Sequence, residues 1–575
     1  MKKYLSLVKL LFVQQFKARD AVNDGSNKKR RAGTLVLFVA LGLCLMPMII
    51  SIAVAMYYMG KLSNGNVYIG TFLTLSCQGL VLMFGLHAII SNVFTVRDAD
   101  KLLYMPVRTH TIFLAKLTVA YLNEVITTAV TVLVVLLPFG MGSGVGLTYY
   151  LMLLVALVLI PMFPLLLACI VAMPFSALIA HIGKNSSIKT VLRIVIYLLI
   201  MGVYMYAMYS FGFMTGSGNG NILDNPELFM QDMIGGFTDK LSSIMPYFHS
   251  NYMLVTGMLA TSFIDWLIAF AITLGEHIAL LGVVILISLP FYRKILTLSV
   301  EDGGGSVRKL AQGNYKLGKN SVVKELMLSD LKRTVRDGQQ GFQSFAGVVM
   351  MPIIVLLLYF FMGLADEGSA SFLQIMSVSP LFQVVAPLVV LVYMTFIGLG
   401  TNVLGLYPIS RENTSVYMLK SLPVSFSKIL LSKVLLATAV MVISDFITCV
   451  LIVALLGVKW YFGIAMLITM ALSGFGSMCI TTLLDLKAPR FGWTNFNHSL
   501  KNAKNSWIAL LISLLIGVSI ALISAIFIVW YGVNSAWYSL LLMWLLIFCA
   551  MFAFAAVSYT IMTEKATKYF ESIEI

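Results

Sequence analysis

Charged side chains at matched spacing mark two stretches of this chain as places built to meet a polar partner. Arg411-Glu412 precedes Leu419-Lys420-Ser-Leu-Pro423-Val424, and Arg97-Asp98, with Asp100 and Lys101, precedes Tyr104-Met-Pro106-Val107-Arg108. Pro106 and Pro423, Val107 and Val424, Ile112 and Ile429, Leu114 and Leu431, and Lys116 and Lys433 coincide at an offset of 317. The proline breaks a helix and aims the next one away. A loop that only closes two helices needs roughly 2–8 residues, and these are longer, charged and duplicated. They read as exposed docking elements, with a plain connector as the alternative.

Catalytic spacings are missing. There is no His-Glu-x-x-His and no Gly-x-Ser-x-Gly; Glu276-His277 is adjacent, and the histidines are scattered. Gly313 to Asn320 nearly spells a phosphate loop, but Asn320 stands where the metal ligand is Ser or Thr, and no apolar strand precedes it. No metal site is expected, and no cofactor on this chain. The cysteines form no Cys-x-x-Cys pair and read as small hydrophobes. Three acids, Glu124, Asp445 and Glu276, sit inside apolar runs. Charges at mid-membrane depth cost about 2.5–3.5 kcal/mol on insertion scales and face protein or water. These acids line a pathway or anchor local hydrogen bonds.

The elements that must carry these residues are apolar. Of 575 residues, 60% are hydrophobic and 11% charged, against about 45–50% and 25% in soluble domains. A soluble enzyme, a disordered chain and a disulfide scaffold are excluded. The expected fold is an all-α polytopic membrane protein of about twelve transmembrane helices, over 34–59, 67–94, 113–140, 146–180, 188–214, 262–292, 343–364, 380–408, 427–457, 460–486, 506–531 and 537–562. The net charge of +15 then belongs to an inner membrane face, not to a nucleic-acid partner. With both termini cytoplasmic, all 39 Lys and Arg except Lys61, Lys240 and Lys459 fall inside. Asp485 and Arg490 fall on a rim over 485–505, with Trp493 and His498, that reads as an interface anchor.

A second match supports a duplication. Val8-Lys9, Leu11 and Lys17 pair with Val323-Lys324, Leu326 and Lys332 at an offset of 315. Each copy is amphipathic and precedes the first span of its half, so each reads as an interfacial helix: a membrane anchor touching lipid, or a lever. The layout is a first six-span half over 1–300, a linker over 301–320 and a second half over 321–575, two parallel six-helix repeats. Residues 224–246 carry a helical apolar stripe on the outer side, without a counterpart in the second half.

Arg411-Glu412, Leu422-Pro423-Val424-Ser425, Ile429-Leu430-Leu431 and Lys433 resemble the loop after the second span of type-two ATP-binding-cassette exporter permeases. That family often has Gly-Thr after its Arg-Glu; here Asn413-Thr414 follows. The resemblance implies an amphipathic connecting helix (with Lys9, Lys17, Lys324 and Lys332), a coupling helix in the loop, and two separate ATPase subunits that hold ATP and magnesium. It implies a non-catalytic transport subunit in a bacterial cell membrane. An ion-coupled secondary transporter is the alternative, and a lipid-acting membrane enzyme the third class.

Overall fold

Long apolar runs satisfy their backbone groups internally only as helices when water is absent, and helices are what these runs form. In a computed structural model the described residues are 4–12, 46, 49–50, 52–63, 65–94, 107–181, 186–210, 242, 248–303, 321–361, 380–489, 491, 503–534 and 537–571. Among them there is no strand. The helices are α1 (4–12), α2 (52–62), α3 (Val67–Ile89, continuing as a π turn Ile90–Phe94), α4 (Thr109–Gly142), α5 (Leu147–His181), α6 (Ser186–Ser210), α7 (His249–Met258) and α8 (Phe263–Gly303). Then come α9 (Val322–Arg336), α10 (Gly338–Phe361), α11 (Pro380–Thr401), α12 (Val403–Leu406), α13 (Val416–Lys420), α14 (Phe426–Leu456), α15 (Trp460–Lys487), α16 (Ala503–Asn534) and α17 (Trp537–Glu571).

Twelve spans were expected; the described residues hold six helices long and apolar enough to cross a membrane, in α5, α8, α14, α15, α16 and α17. The number is up to eight if two bent pairs each count once. One pair is α4, bent by 42° between Ile126 and Thr128; the other is α9 with α10, bent by 100°. The remaining intervals are helical where described, except that 380–408 breaks at Asn402 and ends at Tyr407-Pro408; 34–59, 188–214 and 343–364 are described only in part. Six apolar helices of this length suggest a membrane protein. Most of the outer stripe over 224–246 lies outside the described residues.

The chain divides into two compact units, one holding α1–α8 and the other α9, α10 to Tyr359, and α11–α17. In the first, the largest helix–helix interface joins α5 to α8. Pro161 and Pro164 each remove one N–H from α5. In the adjoining turn the Tyr121 hydroxyl donates to Val158 O at 2.6 Å, and His277 Nε2 meets Leu159 O at 3.2 Å. Gln78 of α3 and Asn251 of α7 exchange two buried amide hydrogen bonds of 2.8 Å. Phe72, Leu136, Tyr149, Met152 and Leu254 fill the core between these helices.

In the second unit the largest interface joins α15 to α17. Met441 of α14 reaches the helix backbones at Gly398 of α11 and Gly474 of α15. The core continues through Leu391, Met470, Ile520 and Met543. Gly457, at φ 63°, ends α14 in the left-handed region, which favours glycine. The following turn is tied back by Gln383, which donates to Gly457 O at 3.0 Å and accepts from Lys459 N at 2.8 Å.

Candidate functional site

The site grows from the elbow between α9 and α10. Ser321 caps α9, its Oγ accepting from Lys324 N, as expected of a helix start. Asp330, Arg333 and Thr334 are spaced i, i+3, i+4 and so share a face. That face packs on the chain between α11 and α14, which runs through α12, a 3-10 turn Ser410–Ser415 and α13.

Five charges from three segments meet there. Arg411 donates to Asp330 and, at 3.1 Å, to the Thr334 hydroxyl. Glu412 accepts from Arg333, from Lys433 of α14, and from the Ser415 hydroxyl at 2.9 Å. Arg333 also donates to Glu412 O at 3.1 Å, and Lys433 Nζ lies 3.5 Å from Asp330. A cavity of about 80 Å³ opens beside this cluster, between α9, α13 and α14. Burial pushes the Glu412 carboxyl up, but Lys433, Arg333 and Arg411 outweigh it and hold it lowered, to about 2.

This corrects the reading of Arg411 and Glu412 as an exposed docking pair: they are 3% and 5% exposed and turn inward. A single buried charge is costly, whereas opposite charges with hydrogen bonds to spare offset one another. Asp330 of α9 is likewise turned in, with its side chain 9% exposed. The next residue, Asn413, has φ 51° and ψ −127°, a conformation glycine takes without cost. That pair of angles is the first central position of a type II′ turn, where Gly leads and Asn is also found.

What the loop exposes instead is apolar. Met418 is 73% and Tyr417 51% exposed, Leu422 and Pro423 also face outward, and Lys420 is half-buried. A third device fixes the loop from α15. Asp485, fully buried, accepts from the Ile409 and Ser410 backbone N–H groups at 2.8 and 2.9 Å and from the Ser410 hydroxyl. Asp485 is therefore an internal anchor, not a rim residue. Tyr407 pairs with Ser506 of α16, and Asn402 donates to Ala437 O at 3.2 Å.

The other expected residues are scattered. Arg108 is exposed at the start of α4; Lys9, Lys324 and Lys332 are exposed on α1 and α9. Arg97, Asp98, Asp100, Lys101, Pro106 and Lys17 lie outside the described residues. In the first unit α1 buries Leu7, and Tyr4 Oη is 2.6 Å from the Thr118 hydroxyl of α4.

Of the three acids in apolar helices, Glu124 is buried beside Gly85 of α3. Glu276 is part-exposed and pairs at 2.6 Å with His249 Nδ1. Asp445 is buried in α14, and its Oδ2 has no partner among the described residues. Among the described residues no group of three His, Cys, Asp or Glu side chains is placed to hold a metal ion. No family model, curated protein or solved structure matches the chain.

Proposed function

We propose that this chain is the membrane-spanning subunit of an ATP-driven exporter of the type-two permease kind, with both six-helix halves in one polypeptide. ATP is hydrolysed by separate ATPase subunits on the cytoplasmic side, one beneath each half. The observation that carries this reading is the loop over 402–425: its charges are spent internally while Tyr417, Met418 and Leu422 project. Projecting aromatic and Met side chains on a rigid base are what a protein partner grips. Arg333, Asp330 and Lys433 tie that base to the elbow helix α9 and to the start of α14, so a push on the tip reaches a helix long and apolar enough to cross a membrane.

Packing in the two units supports the duplication. The expected fourth and sixth spans of each half, α5 with α8 and α15 with α17, make the largest interface of their unit. In each, the amphipathic helix contacts the expected third span, α1 on α4 and α9 on α14. The alternative of an ion-coupled carrier is favoured by one feature, the unpartnered Asp445 Oδ2 inside α14.

Capture of an ATPase by the tagged full chain tests the proposal. Tyr417→Ala with Met418→Ala is expected to abolish capture while the chain still inserts and folds. Undiminished capture by that variant, or no ATPase bound to the wild type, refutes the reading.

A further inference from the structure

We infer that Asp485 is a positioning residue through which displacement of the loop tip is delivered to α15, giving the loop a second output besides α14. This rests on the proposed docking function only for the identity of what moves the tip. Three contacts, spaced over two turns of α15, grip the chain before the tip. Met478 Sδ fills the space where a Cβ on Gly405 would stand, so the Met478 side chain packs directly on the backbone there. Thr481 donates to Gly405 O at 2.8 Å. Asp485 takes both backbone N–H groups of 409–410 and the Ser410 hydroxyl.

Residues 478, 481 and 485 are spaced i, i+3, i+7 and form one stripe. A carboxylate holding two consecutive backbone N–H groups fixes the direction of the chain as well as its position, because those donors cannot rotate away. The stripe makes its own hydrogen bonds beside the charges that bind α9 and α14: Asp485 takes residues 409–410, with Lys433 as a nearby charge, while Arg411 and Glu412 pair with Asp330, Arg333 and Lys433. The polypeptide before the tip is thus held by α15 at three points, with single hydrogen bonds to α14 through Asn402 and to α16 through Tyr407, and the polypeptide at and after Arg411 is held by α9 and α14. α15 also forms the largest helix interface of its unit, with α17. Movement delivered at Asp485 thus reaches a pair of helices, both long and apolar enough to cross a membrane.

The test uses the full chain alone, carrying Met418→Cys modified with a bulky maleimide as a load on the tip. Hydrogen exchange is followed in peptides covering 478–487 of α15 and 426–436 of α14. The load is expected to change exchange in both segments of the otherwise wild-type chain. With Asp485→Asn the α15 response falls about tenfold or more, the scale of a lost charge-assisted bond, while the α14 response persists. Thr481→Val, a milder change, gives an intermediate α15 response and keeps the test valid if Asp485→Asn does not fold. An α15 segment silent in the wild type, or equally responsive in both variants, overturns the inference. A chain whose α15 responds as stated but which captures no ATPase leaves the role of Asp485 standing and removes only the export reading.

Discussion

Replacing Glu412 with Gln isolates the central acid of the elbow. The change keeps shape and hydrogen-bonding oxygen but removes the charge that faces Arg333 and Lys433. Folding lowers the Glu412 carboxyl from 4.5 to about 2; at 1.36 kcal/mol per unit this is on the order of 3 kcal/mol of favourable interaction. The loss matches the roughly 3–5 kcal/mol expected when one partner of a buried pair is removed. Only the share due to Arg333 is lost when α9 undocks, because Lys433 and Arg411 stay with Glu412, so the elbow opens more often by at most about a hundredfold. Tryptic cleavage after Lys332 and Arg333, exposed side chains on a docked helix, reads that opening directly when reclosing outpaces cleavage. Cleavage there is expected to rise by more than threefold and by at most about a hundredfold in Glu412→Gln, and less than additively in Glu412→Gln with Lys433→Met, where both charges are gone. A rise of threefold or less, or strict additivity, would mean the cluster does not hold α9.

Three further outcomes follow from other contacts. Because folding lowers the Glu412 carboxyl, its contribution is complete above pH about 4.5 and drains away as pH falls toward 2; the thermal midpoint is expected to drop over that window in the wild type and to drop less in Glu412→Gln. Asn413→Gly is expected to be neutral or slightly stabilising, and Asn413→Val to cost about 1–3 kcal/mol by forcing a β-branched residue to φ 51°, read by thermal unfolding. Gln78→Leu leaves the Asn251 amide buried without its two bonds and is expected to cost about 1–3 kcal/mol; adding Asn251→Leu is expected to recover most of it, measured the same way.

The helices were legible because long apolar runs permit little else: 146–180, 427–457 and 460–486 became Leu147–His181, Phe426–Leu456 and Trp460–Lys487. The site was legible in place but not in orientation. The partners of Arg411 and Glu412 are 81 and 21 residues away in sequence, and a loop read locally places its charges in water. Two signals were present and went unused. Asp485 falls in the last turn of an apolar helix, where the helix dipole disfavours an acid, so some nearby donor had to hold it. Asn413, directly after the charged pair, takes a positive φ that only a few residue types tolerate.

A surface loop at equilibrium with water turns charges outward and apolar side chains inward. The 402–425 loop inverts that order between residues 411 and 422, with Arg411 and Glu412 inside and Tyr417, Met418 and Leu422 outside. Inversion at the root has a mechanical reason: ion pairs with fixed partners on α9 and α14 define one geometry, whereas apolar packing alone tolerates slippage. Inversion at the tip requires something apolar to meet it. Lipid is the poorer candidate, because the tip is bracketed by Lys420, Ser421 and Ser425 and begins with the backbone polar groups of a five-residue helix, which hydrocarbon leaves unsatisfied. A protein groove satisfies both the side chains and those groups. On the proposed function, the base that holds the tip for a partner also ties it to α14 and α15, so docking and transmission would be two consequences of one arrangement of buried charge.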